Sequence, residues 1–186
     1  MGGAIAPTVP LVCTGPVSYR GEHALGRDIE NLKAAAAEAH AHGVFVPAVA
    51  PSCYGINEGP RIHEAALADV VGYMLKVNAG AYSFEAANPR HEHEYHLWES
   101  VRLPEGKVLI PGVITHASNI VEHPVLIAER LARFAKLVGR ENVVAGADCG
   151  FSSQATYQTE VHPTVVWAKF EAMREGARLA TQQLWS

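Results

Sequence analysis

The most reactive combination in this chain is Asp148-Cys149-Gly150, which closes a short apolar run over 143–147 that has no helical period. A long helix-patterned stretch follows over 164–184. A buried strand that delivers a cysteine and a carboxylate to its C-terminal end, ahead of a helix, sits where α/β folds place their chemistry. A thiolate there serves as a nucleophile or as a ligand for a soft metal. Other segments bring Cys53, Glu85 with Asn88 and Arg90, and His116 to comparable positions. Sulfur, imidazole nitrogen and carboxylate oxygen are the donors zinc takes, and a catalytic zinc site leaves one position open.

Each candidate also has a purely structural reading. Cysteine is among the most buried residue types, so Cys149 alone reads first as a packed thiol, and Cys13, inside an apolar run, belongs to the core. Glu85 is harder to set aside. It stands in the otherwise apolar segment AYSFEAA, where a carboxylate needs a cationic or metal partner or a solvated cleft. The segment NPRHEHEYHLWE offers His91, His93 and His96, but it follows Asn-Pro at a loop-to-helix entry. We read it as a hydrogen-bonded loop whose acidic residues favour the first turn of a short helix. Asp148 has three open readings: a partner that orients a ligand, an N-cap for the segment after it, or an acid/base group acting with Glu85 and His116.

The elements that must position these residues alternate. Strands are predicted over 10–14, 44–50, 81–87, 108–114 and 143–147, and helices over 22–41, 64–77, 124–138 and 164–184. Strands separated by helices of 10–20 residues imply a parallel sheet with helices packed outside it. The reading is α/β, with a β/α barrel or part of one preferred to an open dinucleotide-binding sheet, because no G-x-G-x-x-G follows any strand. Without a repeat or linker, all 186 residues read as one domain.

Composition narrows the function. The chain is 48% apolar and 18% charged, with net charge −4, which fits a globular domain and supplies no basic stripe for nucleic acid. No apolar run approaches the roughly 20 residues of a membrane span. The start, MGGAIAPTVPLVCTGP, lacks the pattern of a signal peptide. Three widely spaced cysteines argue for free or metal-bound thiols in a reducing compartment, so a cytoplasmic location is expected.

Four blocks, GAYSFEAANPRHEHEYHLWE, KVLIPGVITHASNIVEHP, ERLARFAKLVGRENVVAGADCGF and WAKFEAMREGARLATQQLW, together resemble the catalytic barrel of the cobalamin-independent methionine synthase family. That family sits within the uroporphyrinogen decarboxylase and coenzyme M methyltransferase superfamily. TGPVSYRG and FVPAVAP extend the likeness into the N-terminal part. The resemblance implies a (β/α)8 barrel and a zinc ion that holds a small-molecule thiol as its thiolate, which then takes a methyl or alkyl group from a donor. By position, Cys149 matches the family's C-terminal zinc cysteine, Glu85 its zinc-associated glutamate, and Cys53 the cysteine of a His-x-Cys element. His116 resembles a histidine near the substrate, an acid/base candidate, and Asn88 and Arg90 are expected to contact substrate.

Two departures follow. Pro51 stands where the family has its zinc histidine, which reduces the ligand set to Cys53, Glu85 and Cys149 unless His63 or His116 substitutes. A full barrel takes about 250 residues, and a strand–helix–strand region is expected to be missing at 52/53, leaving about five or six of the eight strands. An incomplete barrel exposes strand edges and interior, so self-association or a complementing chain is expected. Two other functions stay open: a non-catalytic barrel remnant or subunit, and a related lyase or hydrolase using acid/base groups.

Overall fold

The computed structural model describes residues 18, 20–46, 66–116, 118–151 and 161–186. The chain groups into two compact units, Met1–Ala48 and Val49–Ser186. In the first unit, helix α1 spans Glu22–Glu38. Its alanine-rich second half has high helix propensity, and the helix stops short of the expected residue 41 where His40 turns to a positive φ of 48°. No residue of α1 is buried. The strand expected over 44–50 is absent over its described part, 44–46, where Phe45 is 89% exposed. The strand expected over 10–14 lies outside the described residues.

The second unit holds helices α2 (Leu67–Met74), α3 (Pro124–Val138) and α4 (Pro163–Trp185), and strands β1 (Ala81–Phe84), β2 (Val108–Ile114) and β3 (Gly146–Ala147). A 3₁₀ segment, Glu92–Glu99, lies between β1 and β2, where the sequence suggests a short helix. The three described strands form one parallel sheet in the order β1-β2-β3. Ala81 pairs with Val108 and Phe84 with Pro111, while Gly112 pairs with Gly146 across an irregular register. The unit is therefore α/β with a parallel sheet, and five or six strands are reduced to three among the described residues.

Local chemistry explains the boundaries. Both α3 and α4 open on His-Pro: His123 Nδ1 accepts from Val125 N, His162 Nδ1 accepts from Thr164 N, and a proline at the first helical position loses no bond. Gly139, at φ 95°, ends α3 where an L side chain would be strained. Helix α2 lacks a cap of its own. Its first N–H, from Leu67, donates to Glu94 Oε1 at 2.7 Å, 27 positions away.

Two apolar clusters fill the unit. One gathers Leu67, Val71, Tyr82, Trp98, Leu109 and Phe134; the other gathers Val113, Ile114, Ile127, Leu131, Ala172 and Ala180. Helices α3 and α4 come close because position 176 is glycine: a Cβ there would stand 2.5 Å from the Ile127 Cβ.

Candidate functional site

The C-terminal ends of the three strands face one rim. The strand expected over 81–87 stops at Phe84 for a visible reason. Ala86 N and Ala87 N, at 2.8 Å, donate to Asp148 Oδ1, and Asn88 N, at 2.9 Å, donates to Asp148 Oδ2. These amides leave the ladder for a carboxylate at the end of β3. Asn88 Nδ2 adds a fourth bond to Asp148 at 3.0 Å. The strand expected over 143–147 is likewise reduced to Gly146–Ala147 plus a bridge from Val143 to Leu109. Close approach explains Gly112 on β2: a Cβ there would lie 1.9 Å from Asp148 Oδ1 and 2.8 Å from the Asp148 Cα.

Asp148 thus holds the segment after β1 against β3. It also orients Glu85, because Asn88 Nδ2 donates to Glu85 Oε2 at 2.8 Å as well. Asn88 Oδ1 accepts from Arg90 N, so the Asn88 amide is engaged at both ends within the protein. His91 Nε2 lies 3.7 Å from Glu85 Oε2, and its Nδ1 meets Glu94 Oε2 at 2.8 Å. Burial alone would raise the Glu94 pKa, but the bonds from His91 and the Leu67 amide win and hold it below the ordinary carboxylate value.

Among the described residues, one set of potential ligands converges: Glu85, His116 and Cys149, with one donor atom from each lying within 4.8 Å of the others. Cys149 is a free, exposed thiol, and Glu85 and His116 are half-buried. Cys53, His63 and Cys13 lie outside the described residues. The donor set suits zinc: sulfur and imidazole exclude the all-oxygen preference of magnesium and calcium, and three protein ligands leave a tetrahedral ion one open position. Zinc bonds of about 2.0–2.3 Å put tetrahedral ligands roughly 3.4–3.7 Å apart, so the trio would draw together by about 1 Å. Cys149 is exposed, and nothing lies within 4 Å of a Cβ built at Gly150, so the space beside this segment is open. Clefts of about 350 and 230 Å³ elsewhere on the unit are not lined by any of the three residues.

Sequence reasoning missed three charged residues that shape this rim. Arg130, buried on α3, donates from Nη1 to Val113 O, from Nη2 to Ala87 O and from Nε to Glu92 Oε1. It thereby ties the ends of β1 and β2 to the 3₁₀ segment. Lys169 on α4 and Glu122 before α3 form a buried pair at 2.9 Å. A signal was available: Arg130 lies three residues after Ile127 and four before Phe134, and Lys169 three before Ala172, each on a buried helix face.

No family model and no curated protein matches this sequence. Among solved structures, the chain is similar to the B12-independent methionine synthase of Shewanella sp. W3-18-1, determined in complex with selenomethionine. The match has a TM-score of 0.51 at 24% identity, over 63% of this chain and 31% of that one. The likeness is one of fold, and the chain spans less than a third of that relative's length.

Proposed function

We propose that the second unit is part of a barrel-like α/β enzyme that transfers a methyl or alkyl group to a thiol, with zinc held by Glu85, His116 and Cys149. The convergence of those three donors at the strand ends carries this reading. The fold shared with a B12-independent methionine synthase supports the reaction class. A zinc ion in this set would lower the pKa of an acceptor thiol so that it reacts as the thiolate. In the transfer, that sulfur forms a bond to the alkyl carbon, the bond from carbon to its donor breaks with the electron pair leaving on the donor, and the thiol proton goes to solvent.

This chain's residues would do the positioning. As thiolate and carboxylate ligands, Cys149 and Glu85 would together balance the charge of a divalent ion. Asn88, aligned by Asp148, keeps Glu85 turned toward the site. The competing acid/base reading asks Asp148 to exchange protons, yet its two oxygens already accept four N–H groups. Further strands, from the rest of this chain, a second copy or another polypeptide, would cover the sheet edges. A metal-binding thiol is best preserved in a reducing compartment, and the proposed location is cytoplasmic.

Metal content after purification tests the reading. Stoichiometric zinc in the natural sequence, lost in Cys149→Ser at unchanged folding, is the expected result. A well-folded protein that takes up no zinc from a buffered excess overturns it and leaves the non-catalytic reading.

A further inference from the structure

Lys169 is wholly buried, on an α4 stripe shared with Ala172, Gly176 and Ala180. An ammonium group on such a stripe is costly unless every N–H finds an acceptor. All three do, and all three acceptors lie in one loop. Nζ donates to Thr115 Oγ1 at 3.3 Å, to Glu122 Oε2 at 2.9 Å and to the Ile120 carbonyl. Glu122, 8% exposed, uses its other oxygen on the same loop, accepting from Thr115 N at 2.7 Å and Thr115 Oγ1 at 2.9 Å. Ser118 Oγ, 3.1 Å from Thr115 Oγ1, accepts from Ile120 N. A pair that served only to join helices would bond to helix groups. This one closes a ring around the loop between β2 and α3, and the residue next to its first anchor, Thr115, is His116.

We infer that Lys169 and Glu122 are positioning residues that latch this loop from α4 and set where the His116 imidazole stands relative to Glu85 and Cys149. Its consequence for metal binding rests on reading His116 as a ligand. It assigns α4 a function in the site beyond packing: docking of the last helix completes the ligand set.

The test uses the full chain with Lys169→Met, and with Lys169→Met/Glu122→Gln in case the unpaired buried carboxylate of the single variant prevents folding. Leu131→Ala, a core truncation away from the loop, is the control for lost stability. Zinc and cobalt(II) affinities are measured against a competing chelator. The latch variants are expected to bind 10–100-fold more weakly, as for other residues that orient a ligand, with an altered cobalt absorption spectrum, while Leu131→Ala binds as the natural sequence does. Equal affinities in latch variant and natural sequence overturn the inference, as does an equal loss in Leu131→Ala. Histidine ring resonances in metal-free protein judge the latch independently. His116 signals are expected to move in the latch variants while those of His162 stay in place, and unmoved His116 signals overturn the inference. If no chain binds metal but His116 moves, the zinc reading fails and the latch stands.

Discussion

Two buried carboxylates, Asp148 at the end of β3 and Glu122 in the loop after β2, are stabilised in different ways. Asp148 accepts from three consecutive backbone amides and one side-chain amide, all in the segment that follows β1. Glu122 accepts from Thr115 and from the ammonium of Lys169, delivered by a helix 47 positions further on. The first arrangement desolvates no cation and ties together the two segments that carry Glu85 and Cys149. The second places two charges out of water, and such a pair holds only while both partners stay in register. Glu85 and Cys149 are therefore positioned by strand-end amides, whereas the place of His116 depends on how α4 docks.

The comparison can be broken at its stronger side first. Asp148→Asn puts an NH₂ group against N–H donors and leaves buried amides without an acceptor, so unfolding free energy should fall by about 4 kcal/mol. Denaturant titration checks this, and a loss under 1 kcal/mol would mean the amides find other acceptors. Gly112→Ala approaches the same carboxylate from β2. The overlap includes the Asp148 backbone, which cannot rotate away, and a loss of about 2 kcal/mol is expected in the same assay.

The smallest effect sharpens the other side. Burial tends to raise the Glu122 pKa, but the Thr115 amide and Lys169 more than offset it, so the group sits below the ordinary 4.5. A carboxylate with a depressed folded-state pKa adds stability that is present above about 4.5 and is lost as pH falls through the lower folded value. Glu94 behaves in the same way. Stability should therefore decline below pH 4.5, and more shallowly in Glu122→Gln. An identical slope in the variant would show that Glu122 does not contribute.

Much of the fold was legible locally. The apolar run at Val108–Ile114 and the Pro124-to-Gly139 bracket around α3 stand in the structure where the pattern puts them. The difficulty at Glu85 was legible too, since a carboxylate in an apolar segment demands company, and Asn88 and His91 supply it. The early end of β1 was not, because the amides of residues 86–88 pair with a carboxylate some 60 positions away. Periodicity reports which face of an element is apolar; it carries no information on which distant side chain will meet it.

The sequence alone determined the chemical inventory: a thiol at a strand end, a carboxylate in an apolar segment, a histidine after the next strand, and the alternation that makes the described sheet parallel. Only the tertiary structure decided that Glu85, His116 and Cys149 share one corner, that Asp148 is an anchor for amides, and that a lysine on the last helix fastens the histidine loop. Each of those outcomes is a contact between residues far apart in the chain, where desolvation forces every buried charge and amide to find a partner in space.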